Sequence, residues 1–156
     1  MDSQYLQQQR FLLQKRVRRL NSCDHLLFHS AFVQFWNYLK ANSLFAGVLA
    51  KLVAEAPSHE EELTVLLKGG DGIPVFEREE EALSFTFRLL QHCAAQPVNI
   101  GRSPEVNIGR AIGHESGHAE SLNIFRDAYL EPFYEYLDGG LDQQGAVPSL
   151  LLTYER

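Results

Sequence analysis

Apolar residues return every three or four positions along most of the chain, in runs long enough for helices rather than strands. Ser3–Leu20 carries Tyr5, Leu6, Leu13, Val17 and Leu20 at roughly helical spacing, with Phe11 and Leu12 widening the apolar face. Asp2 or Ser3 can cap its start, and Asn21-Ser22 breaks it. Asp24–Leu39 holds Leu27, Ala31, Phe35 and Leu39 on one stripe, with Phe28, Phe32 and Trp36 beside it. So aromatic a face belongs inside the domain or inside a partner. Asn42-Ser43 caps a third helix with Leu44, Val48, Leu49, Leu52 and Val53 at helical spacing, and Pro57 stops it. Ser58 and Glu61 fit a capping box ahead of a short helix with Leu63, Leu66 and Leu67. Glu77–Ala95 predicts a central helix with Ala82, Leu83, Phe85, Phe87, Leu89, Leu90 and Cys93 as its apolar surface. The runs Glu60–Glu62 and Glu79–Glu81 then lie at the positive ends of two helix dipoles, which is a structural role.

Pro97 opens an irregular stretch. Within it Val98-Asn99-Ile100-Gly101-Arg102 recurs as Val106-Asn107-Ile108-Gly109-Arg110. Two copies make no solenoid, but the repetition would set Arg102 and Arg110 alike on consecutive turns, as a candidate anion site. Gly69-Gly70-Asp71-Gly72 is a loop without the Lys-Ser/Thr of a phosphate-binding loop. Ser121–Leu137 is the clearest amphipathic helix, with Leu122, Phe125, Tyr129, Phe133, Tyr136 and Leu137 on its packing side. Pro132 inside it removes the amide bond to Ala128 and predicts a kink. Gly139-Gly140 predicts its stop. A turn at Asp142–Gly145 and a last helix over Val147–Tyr154, with Pro148 in its first turn, complete the pattern. That helix meets Arg156 with little room to pack, which reads as a cut through a longer polypeptide. The expected fold is all-α, an irregular bundle of about six or seven helices with a Pro-kinked C-terminal helix, in a single domain over 1–156.

Composition adds bounds. Apolar content of 45% over 156 residues suffices for one real core. A net charge of −6 argues against a general nucleic-acid binder. The charge is uneven, because Arg10, Lys15, Arg16, Arg18 and Arg19 crowd the first helix and form an anion-binding candidate. Cys23 and Cys93 lack paired spacing and read as thiols of a reducing compartment, with the cytoplasm the expected location. No apolar stretch approaches a membrane span, and no secretion signal is seen.

The chain's best chemical motif is His-Glu-Ser-Gly-His at 114–118. On one helical face, His114 and His118 would hold a zinc ion and Glu115 would deprotonate its water. Three features oppose this. Gly113, Ser116 and Gly117 are poor helix formers. Ser121 and Ile124 stand where the extended motif needs Gly and His, and Glu131 and Glu135 lie on the following helix. The only strand candidates to hold a peptide substrate are Leu63–Leu67 and Ile73–Phe76. The preferred reading is a polar lead-in to the packing helix, with Ser116 or His118 near its start. His92 at the end of its helix suits the negative terminus. It adjoins Cys93, but neighbouring helix positions do not face each other. There is no nucleophile elbow and no carboxylate spacing that singles out an acid/base pair.

Glu79-Glu80-Glu81-Ala82 and the stretch Phe125-Arg126-Asp127-Ala128-Tyr129-Leu130-Glu131-Pro132-Phe133-Tyr134-Glu135-Tyr136-Leu137-Asp138, with Leu141-Asp142-Gln143-Gln144 and Leu150-Leu151-Leu152-Thr153-Tyr154, carry a resemblance. This part of the chain resembles an uncharacterised helical module at the N-termini of multidomain bacterial proteins, some suspected of antiphage defence. The resemblance covers mainly the last thirty-odd residues. It implies no catalytic residue, and it implies that the histidine motif is variable.

The function expected is therefore a non-enzymatic helical module for protein interaction, oligomerisation or regulation, without cofactor or membrane. Trp36, Phe133 and Tyr136 are its interaction candidates. A protein partner, self-association or an effector region of a parent chain would be its counterpart. A zinc-dependent hydrolase built on Glu115, His114 and His118 is the alternative. Anion or nucleic-acid binding through the basic first helix is the second.

Overall fold

A computed structural model describes residues 3–55, 59–69, 74–99, 103–114 and 117–141. Seven α-helices order these residues: α1 (Ser3–Ser22), α2 (Phe28–Ala41), α3 (Ser43–Glu55), α4 (Glu60–Leu67), α5 (Glu79–Ala94), α6 (Pro104–Gly113) and α7 (His118–Phe125). A π-helical turn, Arg126–Leu130, follows α7 directly, and α-helix resumes over 131–141. No strand occurs among the described residues, and the fold is an irregular all-α bundle. No helix among them is long and apolar enough to cross a membrane.

Leu6, Leu13, Val17 and Leu20 are the buried residues of α1. The helix runs through Asn21-Ser22 because the Arg19 carbonyl accepts from both the Cys23 amide and the Ser22 hydroxyl. Phe11 and Leu12 do not widen the buried face; they are 60% and 39% exposed. The second helix starts at Phe28 rather than Asp24. The Asp24 carboxylate accepts from the Leu26 and Leu27 amides, each at 3.0 Å, and holds these residues in a turn. Leu27 is consequently exposed instead of lying on the buried stripe.

From Phe28 on, α2 supplies the aromatic centre of the core. Phe28 meets Phe125 edge-on, with ring centroids 6.1 Å apart. Trp36 packs on Phe87 of α5 at 5.5 Å and stacks on Phe133 at 5.9 Å. Phe28, Phe32, Phe45, Phe85, Phe125 and Phe133 are fully buried, and each such side chain contributes roughly 1.5–3 kcal/mol of transfer free energy. Trp36 and Phe133 are therefore core residues, not docking residues. Tyr136 is half-buried and donates its hydroxyl to the Val48 carbonyl of α3 at 3.4 Å.

The Asn42 cap of α3 is present: its Oδ1 accepts from the Leu44 amide at 3.0 Å, while its amide nitrogen donates to Gln9 of α1. The cap of α4 differs from expectation. Its N-cap is His59, in the left-handed region at φ 50°, without a side-chain capping bond; the His59 ring instead reaches Glu81 of α5 at 3.0 Å. Leu63–Leu67 is helical, so it is no strand beside the histidine motif.

The irregular stretch after Pro97 contains a helix that the repeat obscured. The Ser103 hydroxyl accepts from the Val106 amide at 3.2 Å, and Pro104 occupies the first turn of α6, where its missing N–H costs nothing. The second copy of the repeat is thus helical, whereas Val98 and Asn99 are exposed and non-helical. Gly109 lets α6 and α7 touch: a Cβ there would lie 1.8 Å from the Ser121 carbonyl oxygen. The helix over 131–141 continues through Gly139-Gly140 instead of stopping. Gly140 lies against Val48, and Leu141 is buried beyond it. Asp2, Pro57, Ser58, Gly70-Asp71-Gly72, Ile73, Arg102, and the expected turn and helix over 142–154 fall outside the described residues.

Candidate functional site

The histidine motif does not occupy one helical face. His114 caps the C-terminus of α6 with left-handed φ of 56°, and His118 begins α7. The two histidines thus belong to the end of one helix and the start of the next, so the i, i+4 geometry that puts two imidazoles of one helix on one zinc is not formed. Glu115 lies outside the described residues. Among the described residues no group of three His, Cys, Asp or Glu side chains could hold a metal ion. His118 instead stacks on His25, from the turn after α1, with ring centroids 4.9 Å apart.

That pair stands at the edge of a cleft of about 580 Å³. Pro104, Asn107 and Arg110, three residues apart on one face of α6, form one wall. His25 and Leu26 contribute a second, and Gln96, Pro97 and Asn99 a third. Two features read separately in the sequence, the arginine of the second repeat copy and the last histidine of the motif, thus meet at one place.

A buried ion pair is tied to this cleft. Glu105 of α6 is completely buried and His29 of α2 nearly so, with His29 Nδ1 2.8 Å from Glu105 Oε2. The other oxygen of Glu105 accepts from the Ser103 hydroxyl at 2.8 Å, and His29 Nε2 lies 3.0 Å from the Gln96 carbonyl oxygen. Both ring nitrogens face acceptors, so only the imidazolium satisfies both. Its hydrogen bond to Glu105 outweighs burial and holds His29 above the ordinary 6.5. Nearby, burial and then the charge of Glu105 push the Cys93 thiol well up, which leaves it an unreactive core group. The His29–Glu105 pair is not among the sites that the sequence led one to expect. The available signal was a histidine embedded in the most aromatic helix, where its ring had to find a partner.

On α1 the basic candidates divide. Arg10 donates from Nε to Asp138 Oδ1 at 2.8 Å and from Nη2 to the Asp138 carbonyl at 3.1 Å, tying α1 to the C-terminal helical stretch. The Arg16 guanidinium lies over the Tyr38 ring, 4.1 Å from its centroid. These two hold the bundle together. Lys15, Arg18 and Arg19 are exposed. The outer stripe of the same helix shows Tyr5, Phe11 and Leu12 among Gln4, Gln7 and Gln8, all exposed. Comparisons with protein-family models, with curated proteins and with solved structures give no match.

Proposed function

We propose that this protein is a non-enzymatic interaction module that self-associates through the outer stripe of α1. The observation that carries this reading is the exposure of Tyr5, Phe11 and Leu12 at 39%, 60% and 39% on a stripe otherwise made of glutamine. Between Ser3 and Gln14 the one charged residue is Arg10, which is engaged with Asp138. Two copies of α1 laid antiparallel about Gln8 set Tyr5 of one against Phe11 and Leu12 of the other, twice, as two-fold symmetry requires. The basic second half of each helix then lies at opposite ends, so like charges do not face.

Three turns of helix cover less than the ~800 Å² per partner of a standard stable interface. The dimer is accordingly weak and concentration-dependent. The resemblance of 125–138 to helical modules of multidomain bacterial proteins supports the same class, and the free thiols of Cys23 and Cys93 support a cytoplasmic setting. The test is sedimentation equilibrium over a range of protein concentrations, with a Phe11→Glu, Leu12→Glu double variant beside the wild type. The wild type should move toward twice the monomer mass as concentration rises. The variant should remain monomeric with unchanged thermal unfolding. A wild type that is monomeric at its highest soluble concentration, or a variant that associates equally well, overturns the reading.

A further inference from the structure

We infer that the cleft beside α6 binds a small phosphomonoester, with Arg110 as its phosphate-binding cation. The chain carries 20 acidic residues against 14 basic ones, yet among the described residues no carboxylate lines this cleft, which presents Arg110, His25 and His118 together. Arg110 is half-buried and makes no ion pair among the described residues. The buried carboxylate of the same helix does not compete for it, because one oxygen of Glu105 is held by His29 and the other by Ser103. A guanidinium presents planar paired donors that match two oxygens of a phosphate. The amides of Asn99 and Asn107 line the same space as further donors.

The size of the cleft defines the rest of the ligand. At about 580 Å³ it far exceeds a bare phosphate and falls in the range of small-molecule sites. Leu26, Pro97, Pro104 and Val106 give it apolar wall for an organic group. The site is separate from the α1 stripe and does not rest on self-association.

Phenyl phosphate is the direct probe, titrated calorimetrically into the full chain, with phenol and benzoate as controls. The wild type should bind phenyl phosphate saturably and phenol and benzoate more than tenfold more weakly. Arg110→Gln should weaken phenyl phosphate binding at least tenfold, and Asn107→Asp, which adds a carboxylate to the cleft, should do the same. Thermal unfolding of both variants should match the wild type, and agreement between two unrelated changes separates loss of the site from loss of fold. Absence of saturable binding to the wild type overturns the inference. So does equal binding by Arg110→Gln, or binding of phenol or benzoate as tight as that of phenyl phosphate.

Discussion

His29 is a titrating group whose two partners are both acceptors, and that fixes the sign of its effect. The folded state binds the proton more tightly than the unfolded chain, where the ordinary value is 6.5. Its contribution to stability is thus complete below pH 6.5 and is lost as pH rises through the higher folded value. The melting temperature should fall as pH is raised from mildly acidic to mildly alkaline, and the slope should flatten in His29→Gln. His29→Ala strands the Glu105 carboxylate in the core and should cost about 3–5 kcal/mol in chemical denaturation, with Glu105→Gln recovering part of it. Tyr129 presents the opposite case. Its hydroxyl is buried without a partner among the described residues, and burial pushes its pKa up to about 12. Tyr129→Phe should raise stability by about 1 kcal/mol, since it deletes a group that lost its water and gained nothing.

At the scale of elements, the stripe of the C-terminal helix accounts for the π-helical turn. From Phe125 one buried stripe runs through Tyr129, Phe133, Leu137 and Leu141, four residues apart each time, with Leu130 buried beside it. A straight α-helix would rotate such a stripe by about 40° per step, because 3.6 residues make a turn. The π turn, in which the Glu131 amide donates to the Arg126 carbonyl, takes up one extra residue and keeps the stripe on one side. It lies just ahead of Pro132, which cannot bond to Ala128. The unbroken spacing of four was visible in the sequence and was a better guide than the proline alone, which predicts a kink without saying what form it takes. Similarly, Ser103-Pro104 was a legible start for α6, obscured by reading Pro97 and the repeat as irregularity. The close approach at Gly109 was not legible, because nothing local says which glycine another backbone will touch. Gly109→Ala must push Ser121 away and should cost about 2–3 kcal/mol or more in denaturant unfolding. Gly47→Ala in α3, where a Cβ meets nothing within 4 Å, should stabilise by about 0.5–1 kcal/mol.

For the molecule as a whole, helical periodicity specified the all-α bundle, but where the aromatic face of α2 would be buried was open between this chain and a partner. The structure places Trp36 between Phe87 and Phe133, so it joins α2 to α5 and to the C-terminal helical stretch. Trp36→Ala should therefore act as a core deletion, costing about 3–5 kcal/mol by denaturation, and not as a surface change. The cleft was illegible for a related reason: His25, Gln96, Arg110 and His118 come from distant parts of the chain and meet only after the helices pack.

The surplus residue held by the π turn also makes this helix tolerant of shortening at one place. Deleting Asp127, which is exposed, together with Pro132→Ala would turn Arg126–Leu130 into ordinary α-helix while Phe133 and Leu137 still face inward. Deleting Glu135 instead would swing everything after it by about 100° and send Leu137 toward water. Related chains that differ by one residue in length should carry the gap between 126 and 130.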